Sequence, residues 1–432
     1  MSATNRGWAW LLLAGCTGGG DPVEVTEIRA EVARDVATVV TVTFTTSEAV
    51  SATVVFGVDG ALDHVTPPTA SGTGHAAMLL GIPADREISY AIVVDGEQSE
   101  VSTVLTEALP ADIPTATTTG SHDGYVLTTH TTDAGDWVLM FDPLGQIVWY
   151  HLDDRGLSIY RAYPLRDGSG IVYASAIVRG GPAPDSAFVR VSWDGSTESE
   201  QPVPDLAHDF VERDDGALVS LRYETRDGVL GNDVVAVGLD ASVTQLWSAW
   251  DCWDPVTQPG DDPEHGWTHT NALDYDAGSG LYVVGVRNFA TIAAVDVDSR
   301  TCPWGFGGVG GTVALEGSAF IHQHQFDWTG DRMLVFDNDG APGNASRAVE
   351  YTYDAAAGTA AFQAVFQPDP SLYSFIMGDV HRRADGSTMV LYSVPGVILR
   401  FDPDGTETWR LSFDEGGPLG FMSDLASPYA AD

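Results

Sequence analysis

The stretch Val138–Trp149, VLMFDPLGQIVW, returns in altered form as Val235–Trp247, VAVGLDASVTQLW, and as Ile398–Trp409, ILRFDPDGTETW. Each copy reads apolar strand, turn aspartate, second strand, tryptophan. Alternating side chains on either side of an Asp/Gly/Pro cluster are what a β-hairpin needs, because successive residues of a strand face opposite sides. Weaker copies surround Asp194 (VRVSWDG), Asp298 (AAVDVDSRTCPW) and Asp354 (VEYTYDAAAG). The six turn aspartates, Asp142, Asp194, Asp240, Asp298, Asp354 and Asp402, are spaced by 52, 46, 58, 56 and 48 residues. A unit of that length accommodates four strands, and six units predict an all-β, six-bladed β-propeller over residues 111–432. A second marker keeps the same phase: a Gly-containing turn followed by an apolar strand, at 167–175, 215–221, 278–286, 330–336 and 385–393.

Upstream the text changes. Residues 23–110 carry short alternating strands at 39–46, 51–58, 75–82 and 87–96, separated by Gly, Asp and Pro. This spacing predicts a β-sandwich, and the segment resembles a fibronectin type III-like module with turns at Phe56-Gly57 and Leu80-Gly81. His64 and His75 read as surface residues there, and the module as a spacer or support. Leu109-Pro110 and Thr115 to Thr119 form the linker. Residues 1–16, MSATNRGWAWLLLAGC, place Arg6 before a short apolar run that ends in Leu13-Ala14-Gly15-Cys16. That resembles a bacterial lipoprotein signal in which Cys16 becomes the lipidated first residue of the mature chain, with 17–22 as a tether. The run is too short to span a bilayer. An exported protein held in the periplasm or at the cell surface by its anchor, most simply at the outer membrane, is the expectation.

The chain has 432 residues and a formal charge of −41, and all 20 of its basic residues are arginines. Nucleic acid and anionic membrane surfaces need a cationic face, so both are excluded as partners and contact with a membrane is left to the lipid anchor. An anionic ligand requires a locally cationic site, which screening over roughly 8 Å permits within an acidic molecule. Cys252 and Cys302 lack metal-site spacing; they either pair in an oxidising compartment or stay free. A homo-oligomer is left open.

Registering the repeats against each other brings out candidates. The residues ahead of the Gly turns read His208-Asp209-Phe210, Asn271-Ala272-Leu273 and His324-Gln325-Phe326 in three consecutive units. His208, Asn271 and His324 thus share one position, and His269, two residues before Asn271, faces the same side. The neighbouring units hold Tyr160 and Gly378 there. The first strand of every blade lines the channel of a propeller, so these side chains are expected to meet at one mouth. Arg287, at the end of the following strand, supplies a cation. Polar residues satisfied in a wet channel are the plainer reading, and a metal site built from His208, His269 and His324 is another. His130, His151, His265, His322 and His381 read as surface or channel-rim residues. Asp337-Asn338-Asp339-Gly340 reads as a turn closing the strand Met333 to Phe336, and as a weak calcium candidate.

The set Trp267-Thr268-His269-Thr270-Asn271, Arg287, Gln323-His324, Asp337-Asn338 and Arg347-Ala348-Val349-Glu350-Tyr351 resembles the bacterial aryl-sulfate sulfotransferases, over roughly residues 115–425. The resemblance implies transfer of a sulfuryl group from an aryl sulfate to a phenol, with no phosphoadenosine phosphosulfate and no other cofactor. By the same resemblance His324 is the transiently sulfated histidine, His269, Asn271 and Arg287 hold the sulfuryl group, and His208 is a further active-site histidine. Gln325 stands where the family commonly has Asp, and the close cysteine pair of some members is absent. Trp267, Phe320, Tyr160 and Phe375 are candidates to grip the two rings. A non-catalytic lipoprotein binding a ligand at the channel mouth and a sulfatase-like hydrolase are the alternatives.

Overall fold

The computed structural model describes residues 23–177, 181–258, 260, 265–341, 343, 345–354 and 357–429. The signal, Cys16 and the tether lie outside the described residues. Among the described residues regular structure is β, apart from single 3-10 turns such as Ala249–Asp251 and Arg287–Phe289. No helix among the described residues is long and apolar enough to cross a membrane.

Two sheets form first. One pairs Val25–Val32, Val40–Val50 and Gly72–Leu79; the other holds His64–Val65, Thr53–Val58, Glu87–Val94, Glu97–Gln98 and Ser102–Leu105. Alternation puts Val40, Val42 and Phe44 inward from one sheet and Val54, Phe56, Ile88 and Ile92 from the other, making one core. Two readings are corrected here. Phe56-Gly57 is no turn but the middle of the strand Thr53–Val58, where a Cβ on Gly57 would lie 2.7 Å from the Ala61 carbonyl oxygen. His75 is buried rather than on the surface, its ring stacked on Phe44 and hydrogen-bonded to both Thr46 (3.0 Å) and Thr69 (2.8 Å).

Among the described residues six sheets follow, antiparallel but for one added strand. From the innermost strand outward, the second runs Ser158–Pro164, Gly170–Ile177, Ala187–Ser192 and Glu198–Pro202. The third is Leu206–Glu212, Leu218–Arg226, Val229–Val237 and Val243–Ser248; the fourth is Thr270–Asp276, Leu281–Val286, Thr291–Val295 and Gly305–Gly307. The fifth holds Phe326–Trp328, Arg332–Ala341, Ala345–Asp354, Thr359–Phe366 and a parallel addition, Ala314–Glu316. The first and last are closed by exchange. Ser423–Leu425 supplies the innermost strand of the first sheet, beside Tyr125–Thr132, Gly135–Phe141 and Ile147–Asp153. Ala116–Gly120 in turn edges the sixth, made of Asp379–Arg382, Thr388–Tyr392, Val397–Phe401 and Glu407–Phe413.

Each sheet packs on the next. Phe188 and Phe210 join the second to the third, Trp247 and Leu273 the third to the fourth, Ala272 and Phe326 the fourth to the fifth, and Phe336 and Tyr392 the fifth to the sixth. Trp409 and Leu411 of the sixth share a core with Trp149 and Val138 of the first. Both repeat markers fall on hairpins. The Gly turns join first to second strands, and the aspartates join third to fourth. Asp142 Oδ1 accepts the N–H groups of Leu144 (2.9 Å) and Gln146 (2.8 Å), and Asp240 Oδ1 accepts that of Ser242 (3.0 Å). In the fourth sheet this role belongs to Asp296 rather than Asp298: Asp296 Oδ1 accepts the Asp298 N–H at 2.9 Å. The repeat tryptophans Trp149, Trp247 and Trp409 are fully buried, each worth about 3 kcal/mol or more against truncation to alanine.

Candidate active site

Two adjacent registers of the inner strands do different work. Arg161, Asp209, Gln325 and Asp379 form the lower one. The Arg161 guanidinium donates to Asp209 (3.0 Å), Asp379 (3.2 Å) and the Met422 carbonyl (2.9 Å). Gln325 donates to the other oxygen of Asp209 at 2.8 Å, as does the Leu273 N–H at 2.9 Å. The Met422 N–H returns to Asp379 at 2.8 Å. These contacts tie sheets one to six together. Burial pushes Asp379 up to about 6, against the pull of Arg161.

One residue earlier on the same strands stand Tyr160, His208, His324 and Gly378. The structure brings His208 and His269 together, ring centroids 5.1 Å apart, with Tyr160 5.4 Å from His208. His269 reaches this place from a left-handed backbone, φ 47°, a conformation that costs a non-glycine residue of order 1–3 kcal/mol and clusters at functional sites. Asn271 is fully buried and donates its amide to the Gln323 carbonyl at 2.8 Å; its Oδ1 and the Nδ1 atoms of His208 and His269 have no hydrogen-bond partner among the described residues. A buried polar atom left in that state is costly unless a ligand or water meets it. Arg287 opens a 3-10 turn whose first N–H donates to the His269 carbonyl at 3.2 Å, and its side chain donates to Asn288 at 3.3 Å.

His324 is held on both sides. Asn338 donates both amide hydrogens, to the carbonyls of Ser374 (2.7 Å) and Met377 (2.9 Å), so its Oδ1 must accept from His324 Nδ1 at 2.9 Å. The lone pair is therefore on Nε2. The Met377 N–H donates to that atom at 3.0 Å. Behind Asn338, Asp337 accepts from Arg347 (2.8 Å), from the Ile321 N–H (2.9 Å) and from the Gly340 N–H (2.8 Å), fixing the loop that carries the histidines.

Electrostatics keep these rings neutral. Burial, then His265 and Arg287, lower His208 to about 3. Burial first, with Arg287 next for His324 and His208 next for His269, holds both well below the ordinary imidazole value. Neutral imidazoles beside a permanent guanidinium suit an anionic ligand and offer a nucleophilic nitrogen. Two clefts lie elsewhere, around Arg166, Arg213, Glu212 and Asp274 at the far ends of the same strands. There Arg166 and Arg213 are paired with Asp214 and Asp215 at 3.1 Å each, and no convergent set is presented.

Several expectations change. Asp337 to Gly340 is no turn but part of the strand Arg332–Ala341, irregular past Asp337, so Asn338 faces the site and not solvent. His265 is no bystander: its ring lies 5.2 Å from that of His269. His130 is buried, stacked on Phe413 and bonded to the Gly416 carbonyl at 2.8 Å, and His151 meets the Tyr173 hydroxyl at 3.1 Å. Trp267 and Phe320 are core residues, 4% and 2% exposed, and cannot grip a ring; Phe375 is 51% exposed. No group of three or more His, Cys, Asp or Glu among the described residues has metal-holding geometry. Cys252 and Cys302 are disulfide-bonded, linking the connection after the third sheet to a hairpin of the fourth. Sequence reasoning overlooked Met377 and the Arg161 cluster. The cluster had a signal, since Arg161, Asp209, Gln325 and Asp379 each follow the registered residue; a backbone donor such as Met377 leaves none.

Comparison with known proteins gives a family match: the model of the family described as Arylsulfotransferase (ASST) matches residues 111–411. No curated protein matches the chain. Among solved structures, a protein of unknown function from Bacteroides caccae is 9% identical with TM-score 0.48, the match covering 71% of this chain and 100% of that one. TolB from Acinetobacter baumannii is 11% identical with TM-score 0.43, covering 80% and 81%. A virginiamycin B lyase from Staphylococcus aureus is 9% identical with TM-score 0.40, covering 72% and 96%.

Proposed function

This chain belongs to the arylsulfotransferase family, and on that premise we propose that it moves a sulfuryl group from an aryl sulfate to a phenol through a covalent adduct on His324. The observation that carries the reading is the wiring of His324: Asn338 fixes the proton on Nδ1, which leaves Nε2 as the nucleophilic atom. In the first half-reaction an Nε2–S bond forms as the S–O(aryl) bond breaks, and the phenolate leaves with the electron pair. In the second, an acceptor phenol attacks sulfur, the N–S bond breaks, and the pair returns to Nε2. Arg287 stabilises charge on the non-bridging oxygens, together with donors from Asn271 and His269. His208, neutral at pH 7, serves as hydrogen-bond donor to the leaving oxygen and as proton acceptor for the incoming phenol. In this reading Tyr160 and Phe375 contact the rings. No nucleotide or metal enters the scheme.

In this reading the inner architecture is a six-bladed β-propeller over 111–432, preceded by a fibronectin type III-like sandwich over 23–110. Export with a lipid anchor at Cys16 is part of the proposal, and the Cys252–Cys302 disulfide supports an oxidising compartment. The test is release of nitrophenol from 4-nitrophenyl sulfate with and without phenol. Acceptor-dependent release that disappears in His324→Ala is the predicted result. Release independent of acceptor points to a hydrolase, and none at all to a binding protein.

A further inference from the structure

Resting on the nucleophile reading, we propose that the turn Ser374–Met377 positions and masks the nucleophile: the Met377 N–H holds the Nε2 lone pair of His324 until an aryl group seats on Phe375 and Ile376 and draws the turn away. In-plane attack on sulfur needs the same lone pair that this N–H occupies at 3.0 Å. The two groups cannot use it at once, so the contact breaks in every turnover.

The turn is anchored at its first end and strained at its last, where the Met377 carbonyl accepts from Asn338 at 2.9 Å. Ser374 is anchored: its N–H donates to Ser346 Oγ at 2.9 Å, its carbonyl accepts from the same hydroxyl at 3.1 Å, and its own hydroxyl accepts the Val394 N–H at 3.0 Å. At the other end Met377 is left-handed, φ 53°, and Gly378 follows at φ 110°. A non-glycine residue held there stores free energy that a change of conformation releases. Gly378 lacks a Cβ because one would lie 2.1 Å from the Phe336 ring, which makes it the close-packed pivot on which the turn rests.

Between the two ends the side chains face outward without apolar cover. Phe375 is 51% exposed and Ile376 39%. Two further exposed apolar residues, Tyr373 and Ile321, adjoin them through Asp339: it accepts from the Tyr373 hydroxyl at 2.8 Å, and its N–H donates to the Ile321 carbonyl at 3.2 Å. An apolar rim at the edge of an anion-binding site matches a substrate with an aromatic ring at one end and a sulfate at the other. Burying a ring against Phe375 and Ile376 supplies the driving force for moving their backbone, while water, lacking an apolar face, leaves the mask in place.

The experiment is amide hydrogen–deuterium exchange in protein labelled with 15N-methionine, the Met377 signal being assigned by its loss in Met377→Leu. Protection of Met377 is expected in the free protein. Saturating 4-nitrophenol, which carries no sulfate and undergoes no transfer, is expected to speed its exchange at least tenfold while Met333 and Met389, inside strands, stay unchanged. Phe375→Ala combined with Ile376→Ala is expected to abolish that acceleration. Unaltered or slower exchange at Met377 with nitrophenol bound, or no binding of nitrophenol, overturns the proposal. The nucleophile reading is judged separately, by sulfated His324: a labelled histidine with an unmoved Met377 amide sinks the mask alone, and a ligand-released amide with no labelled histidine sinks the nucleophile while the movement stands.

Discussion

Lowering the pH from 7 to 5 should leave sulfuryl transfer almost unchanged, although its nucleophile is a histidine. A ring titrating at the ordinary value of about 6.5 loses roughly 25-fold of its neutral form over that interval. His324 is fully buried behind Arg287, and both effects oppose protonation, while only the hydrogen bond to Asn338 favours it. The assay is kcat/KM for 4-nitrophenyl sulfate with phenol as acceptor, read after an alkaline quench, with circular dichroism recorded at each pH. Arg287→Gln, besides lowering turnover by about 10²–10³, removes the second cause of the depression and should move the acid limb upward. A fall of tenfold or more with a midpoint near 6.5, in protein that stays folded, would falsify the claim that a neutral, desolvated His324 attacks.

Three further outcomes follow from the packing. Arg347→Met should cost about 3–5 kcal/mol in urea unfolding, since it leaves Asp337 buried and unpaired, and Asp337→Asn in the same chain should recover part of the loss. Replacing Cys252 and Cys302 by Ser opens a 50-residue closure and should lower stability by about 4 kcal/mol on the chain-entropy model, measured by urea titration. His208 is lowered in the folded state, so the stability it lends is complete above about pH 6.5 and is lost as pH falls from there toward 3. His208→Asn should therefore gain on the wild type by about 1.4 kcal/mol per pH unit below 6.5; a constant difference between the two unfolding curves would show that the ring is not held neutral.

What the sequence made readable is local. The Asx turns at Asp142 and Asp240 and the Gly turns between inner strands are decided by four or five adjacent residues, so their spacing gave the six units and their phase. The internal register lines up equivalent residues of successive units; in the structure His208 lies against His269, and the Asn271 amide reaches the carbonyl of Gln323, the residue before His324. Contacts between distant segments were not readable. Ser423–Leu425 completing the first sheet joins residues some three hundred positions apart, and no periodicity encodes that pairing. His265 meets His269, whose left-handed backbone its side chain does not announce. Asn338 looked like a turn residue because Asp-Asn-Asp-Gly favours turns, yet the ion pair of Asp337 with Arg347 keeps the run in the strand.

The most direct measurement is the mass of the enzyme quenched into alkali within one turnover of mixing with 4-nitrophenyl sulfate in the absence of phenol. One sulfuryl group on the peptide containing His324, discharged when phenol is added, is the result predicted. Transfer at full rate with no sulfated protein, or with the group on another residue, contradicts it.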